Sequence, residues 1–202
     1  RHLEEAGRIP SLSVFLDSPM AIEALGIYAR HVEEQDEALR REVAAGTKPY
    51  APRRFEVTKT VAESKRLNDA PAPGIILAGS GMATGGRILH HFRRLLPDPR
   101  TTVLLVGYQA AGTRGRLLRD GAHELRMFGE MVPVRATILA SDAYSAHADR
   151  REILRWLDGF RHPPGMTYLV HGEPRAAEAL RQEVAARGWQ VAIAHDGQRV
   201  NV

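Results

Sequence analysis

Two short polar segments carry residues able to work on a phosphate or a metal ion. In the first, Ser141-Asp142-Ala143-Tyr144-Ser145-Ala146-His147-Ala148-Asp149 forms a polar knot between an apolar strand and a helix whose apolar face is Ile153, Trp156, Leu157 and Phe160. His147 then lies at a helix N-terminus, where the positive end of the dipole disfavours imidazolium and makes a bound proton easier to donate. A structural or capping histidine is the competing reading of that position. In the second, Thr167-Tyr168-Leu169-Val170-His171-Gly172-Glu173-Pro174, a buried strand delivers His171 at its C-terminal tip, ahead of a glycine turn and a new helix. Neutral imidazole at such a tip is a common zinc donor; a plain surface histidine in a strand-to-helix turn is the alternative.

Two glycine-rich turns add a different chemistry. Gly79-Ser80-Gly81-Met82-Ala83-Thr84-Gly85-Gly86 and Gly107-Tyr108-Gln109-Ala110-Ala111-Gly112-Thr113 each follow an apolar strand. Backbone N–H groups at a strand-to-helix junction suit a phosphate, which makes Ser80, Gly81, Thr84, Gly112 and Thr113 contact candidates, with Arg114 and Arg116 as electrostatic support. No Gly-Lys-Ser/Thr follows, so this is not a Walker loop. Thr84 stands where a dinucleotide fingerprint needs its third glycine, and Gly107 ends the next strand where an acidic ribose ligand is wanted. RNA backbone phosphate is the better fit, and glycines that merely permit tight turns are the alternative.

Composition bounds these readings. The 202 residues are 44% hydrophobic and 26% charged, inside the globular range, with room for one large domain or two small ones. Cysteine is absent, so disulfides and thiolate zinc sites are excluded and a reducing, cytoplasmic setting is expected. No apolar run approaches the roughly 20 residues that span a bilayer, so no membrane role is expected. A net charge of +4 and a pI near 9.7 suit a polyanionic partner, although Lys48, Lys59 and Lys65 are the only lysines and a GC-rich or heat-adapted genome explains the charge equally well. The chain opens at Arg1 in what reads as the tail of a helix, an opening that reads as a fragment or cleavage product of something longer.

The elements that must position these groups alternate strand and helix, as a parallel α/β sheet requires. Strands are expected at 13–16, 55–57, 74–78 and 101–106, the last two buried. One helix is expected from Pro19 to about Ala45, stopped by Gly46, with others at 61–67 and from Gly86 through Leu96. Strands 125–128 and 134–139, with no helix between them, should pair antiparallel across Gly129. Helices at 148–160 and 174–187 and strands at 167–170, 190–194 and 199–202 complete the pattern.

The ordered set Gly79-to-Gly86 (GSGMATGG), Gly107-to-Thr113 (GYQAAGT), Ser145-to-Asp149 (SAHAD) and Leu169-to-Glu173 (LVHGE), with His147 and His171 24 positions apart, resembles the β-CASP branch of the metallo-β-lactamase superfamily. Leu16-Asp17-Ser18-Pro19-Met20-Ala21 extends the likeness toward the start. The SAHAD wording looks closer to the relatives of the polyadenylation cleavage subunit than to the RNase J group. The resemblance implies a parallel β-CASP sheet flanked by helices over residues 1–135, followed by the C-terminal part of a metallo-β-lactamase αββα sandwich over 136–202. It also implies a metal-dependent hydrolase cutting single-stranded RNA, internally or from the 5′ end, in a groove between the two parts. By the same resemblance His147 is the catalytic histidine, giving a proton to the leaving oxygen, Ser145 a substrate contact, and His171 a ligand to one of two Zn2+ ions.

The sequence departs from the family pattern in one respect. The other zinc ligands belong to an H-x-H-x-D-H run plus a later His and Asp, and no His-x-His pair occurs among the nine histidines; His90 and His91, adjacent on a helix, project in different directions. The expected source of those ligands is an N-terminal metallo-β-lactamase half absent from this chain, which alone should be inactive. A non-catalytic RNA- or nucleotide-binding module, a DNA-directed nuclease of the same family and a small-molecule hydrolase are the rival readings, and homo-oligomerisation stays open.

Overall fold

A computed structural model describes residues 1–70, 72–144 and 147–200. The chain divides into two compact units, Arg1–Ser145 and Ala146–Val202.

In the first unit a short helix α1 (His2–Glu5) leads into β1 (Ser13–Asp17), which is buried along its whole length. Pro19 cannot donate a hydrogen bond and Ser18 accepts one from Ala21 N, so α2 (Pro19–Arg30) starts where the sequence predicts. The single long helix expected to Ala45 is instead broken. A 3-10 turn at Val32–Glu34 separates α2 from α3 (Glu37–Ala44), because the Asp36 carboxylate accepts from Leu39 N and caps a new helix rather than continuing the old one. β2 (Arg54–Val57) precedes α4 (Val61–Arg66), whose start is a reciprocal capping box between Thr60 and Glu63. β3 (Gly74–Ala78) and β2 flank β1 in a parallel three-stranded sheet, with Ser13 paired to Arg54 on one side and Gly74 on the other.

After α5 (Arg87–Leu95), β4 (Thr102–Val106) leads to α6 (Arg114–Arg119). β5 (Glu124–Met127) and β6 (Glu130–Pro133) form an antiparallel hairpin, and β7 (Thr137–Ser141) pairs parallel with β4. The stretch 134–139, expected as one strand antiparallel to β5, is therefore divided: the hairpin partner ends at Pro133, and Thr137 begins a strand of the parallel set. Pro133 and the bonds from the Arg135 and Ala136 amides to Leu96 O separate the two roles. Leu89, Phe92, Leu96, Leu105, Leu118, Leu125, Met127 and Val132 make one core beneath these elements. β3 and β4, expected buried, leave Ile75, Leu77, Leu104 and Val106 exposed, while Val103 and Leu105 on the alternate positions of β4 pack into that core.

The second unit contains α7 (Arg150–Leu157), β8 (Thr167–Leu169), α8 (Pro174–Ala186) and β9 (Val191–Ile193), with β8 and β9 parallel. Leu154, Leu157 and Val184 form its buried centre. Trp156 and Phe160, read from the sequence as part of the packed face of α7, are exposed and meet edge to face at 5.1 Å. The strand expected at 167–170 ends at Leu169 and is less covered than expected, with Tyr168 and the following Val170 exposed. Of the last predicted strand, Arg199 and Val200 are not in a strand, and 201–202 lie outside the described residues.

Candidate functional site

The two glycine-rich turns are brought together by side chains that composition alone does not single out. Gln109, 1% exposed, donates from Nε2 to the carbonyls of Gly81 (3.1 Å) and Gly107 (3.3 Å), so one amide spans both loops. The Gly115 amide donates to Met82 O at 2.9 Å. Gly115 leaves room for this packing: a Cβ there would lie 1.8 Å from Gln109 Oε1 and 3.1 Å from Met82 O. With both carbonyls facing Nε2, the amide orientation is fixed, and Oε1 is left buried without a hydrogen-bond partner among the described residues. Arg114, read from the sequence as electrostatic support for a phosphate, instead reaches carbonyls: Nε donates to Arg126 O at 2.9 Å, and Nη1 lies 3.4 Å from Ala83 O and 3.5 Å from Thr84 O. Arg116 pairs with Asp120 at 2.8 Å.

The candidate contact residues fall on this latched pair of loops. Ser80 and Thr84 hydroxyls bond one another at 3.0 Å, and Thr84 is exposed. Gly81 and Gly112 are exposed, Gly112 with φ +79°, a left-handed conformation suited to glycine. Thr113 caps α6: its hydroxyl donates to Ala110 O at 2.7 Å and accepts from Arg116 N at 3.2 Å.

A second cluster lies at the tip of β1, and sequence reasoning missed it. The Asp17 side chain, wholly buried, accepts from Arg87 Nη1 (2.7 Å) and the Thr58 hydroxyl on Oδ1, and from His91 Nε2 (2.6 Å) and Ser64 Oγ (2.7 Å) on Oδ2. Burial alone would raise its pKa, but hydrogen bonds from Thr58, His91, Ser64 and Arg87 outweigh that and hold it at about 2. An ionised Asp17 accepts only, so His91 carries its proton on Nε2. Arg87 also donates to Thr58 O and Lys59 O, which ties the first residue of α5, directly after the Gly79–Gly86 loop, to β1 and the β2–α4 turn. The one sequence signal was that His90 and His91 project in different directions: His91 is buried in this network and His90 is exposed.

Both candidate histidines belong to the second unit, each on its own loop. His147 is exposed two residues before Asp149, which caps α7 in a capping box with Glu152. His171 is exposed at the corner between β8 and α8 with φ +67°, the left-handed region. Ser145 lies outside the described residues. Among the described residues no three His, Cys, Asp or Glu side chains converge as a metal-binding group. The described residues do not by themselves fit a zinc site. No helix among the described residues is long and apolar enough to cross a membrane.

The parallel strands flanked by helices and the latched glycine loops are those of an α/β domain. Residues 1–118 match the family model of the Beta-Casp domain, and residues 131–194 match that of the Zn-dependent metallo-hydrolase RNA specificity domain. The chain belongs to the β-CASP family, whose metallo-hydrolase members use a metal cofactor. It is 40% identical over 195 residues to a ribonuclease of Thermus thermophilus, covering 96% of this chain and 44% of that protein. It is 34% identical over 181 residues to the transcription termination factor FttA of Pyrococcus abyssi (86% and 28%) and 30% identical over 168 residues to an RNase J-like protein of Methanocaldococcus jannaschii (83% and 37%). The chain thus spans less than half the length of these relatives.

Proposed function

We propose that this chain is part of a zinc-dependent ribonuclease that hydrolyses phosphodiester bonds of single-stranded RNA. The observation that carries the reading is the alignment of nearly the whole chain with a ribonuclease, across consecutive matches to the Beta-Casp and RNA specificity domains. Exposed Thr84 and Gly81 beside Ser80, on loops held in register by Gln109, offer hydroxyl and backbone groups to a phosphate.

His147 is assigned as general acid to the departing ribose oxygen, a role worth roughly 100- to 10,000-fold in rate. His171 is assigned as one zinc ligand, completed by donors from an N-terminal metallo-β-lactamase half of the same protein.

The test is made in the full-length protein. His147→Ala should keep its zinc, measured by elemental analysis, while cleavage of end-labelled RNA falls at least about 100-fold. His171→Ala should lose both zinc and cleavage. Equal zinc loss in the two variants would overturn this division of labour.

A further inference from the structure

β5 and β6 are joined by two residues, with Met127 paired to Glu130 across the turn. Both joining residues have positive φ, Phe128 at 51° and Gly129 at 83°. A two-residue turn of this kind takes Asn, Asp or Gly at its first position, and a bulky aromatic residue is strained there. The strained ring is also poorly covered: Phe128 is 49% exposed. It stacks on the exposed His90 ring, centroids 4.7 Å apart and planes inclined by 26°. A local rule broken at an exposed position points to a task for the side chain rather than to packing.

We infer that the His90–Phe128 stack is a platform for a base of single-stranded nucleic acid, set beside the glycine loops. The inference rests on the ribonuclease reading and extends it from the phosphate to the neighbouring base. His90 stands one turn into α5, about 5 Å along the axis from the helix start that follows the Gly79–Gly86 loop. The hairpin is tied to the same loop by Arg114, which donates to Arg126 O and approaches Thr84 O. Arg126, two residues before the ring, makes no side-chain hydrogen bond or ion pair among the described residues, so its charge is available to a phosphate. Aromatic faces with adjacent arginine hold bases without reading their edges, so the platform should tolerate any sequence.

Phe128→Asn separates this role from a merely structural one, because Asn is a residue the turn prefers and the hairpin survives the change. Full-length wild type and variant are titrated with a ten-nucleotide phosphorothioate oligouridylate, which resists cleavage, and with its abasic counterpart. Wild type should bind the base-bearing strand more tightly. The variant should lose roughly tenfold on that strand, within the range for one base stack, and nothing on the abasic strand. Unchanged binding, or equal loss on both strands, overturns the platform and leaves the ring as a pin between hairpin and helix. Wild type that binds both strands equally also overturns it, whereas wild type that binds neither overturns the ribonuclease reading itself.

Discussion

Replacing Asp17 by Asn tests whether the buried network organises the first unit. Asn keeps the shape but removes the charge and turns one of two acceptors into a donor. On the Oδ2 side the change is tolerable, since the Ser64 hydroxyl can rotate and a neutral His91 can shift its proton to Nδ1. On the Oδ1 side the Arg87 guanidinium, at 2.7 Å, loses its counter-charge. Breaking a buried ion pair from one side costs about 3–5 kcal/mol, and partial exposure of Arg87 places the expected loss near 3 kcal/mol at neutral pH. The pH dependence supplies a second check. Asp17 titrates at about 2 in the fold against an ordinary 3.8, so its contribution is present above the unfolded value and is lost as pH falls through 3.8 toward 2. The gap between wild type and Asp17→Asn should therefore narrow by about 2 kcal/mol between about pH 6 and pH 2. Urea unfolding followed by circular dichroism measures both. Trp156 and Trp189, the chain's only tryptophans, lie in the second unit, so fluorescence follows that unit while circular dichroism follows the whole chain. A loss under about 1 kcal/mol at neutral pH, or a gap that stays constant on acidification, would refute the account.

Gly115→Ala should destabilise by about 1–3 kcal/mol through collision with Gln109, and Gln109→Ala should relieve part of that, so the double variant is less than additive in thermal melts. Asp149→Ala removes the cap of α7 and should cost about 1 kcal/mol, read as a lower fluorescence midpoint. Glu178→Ala, which breaks a solvent-screened pair with Arg181, should leave the midpoint in the same assay unchanged.

Local rules recorded in the chain made most elements legible. Ser18 before Pro19, Thr60 three before Glu63 and the apolar run 74–78 each determine a boundary by short-range hydrogen bonding or periodicity, and the structure places α2, α4 and β3 accordingly. The four glycine and histidine blocks marked the family through residue order alone. What the sequence could not express is pairing between distant positions. Asp17 reads as a helix-entry residue until Thr58, Ser64, Arg87 and His91, 41 to 74 positions away, converge on its carboxylate. Gln109 reads as one polar residue in a loop until the fold sets its amide against the carbonyls of Gly81 and Gly107. Arg114 reads as free charge until three carbonyls claim it. Position 134 reads as strand in either partnership, and only the bonds to Leu96 decide where the hairpin ends and β7 begins. Propensity acts over a few residues along the chain, whereas the satisfaction of buried polar groups depends on which segments meet in space.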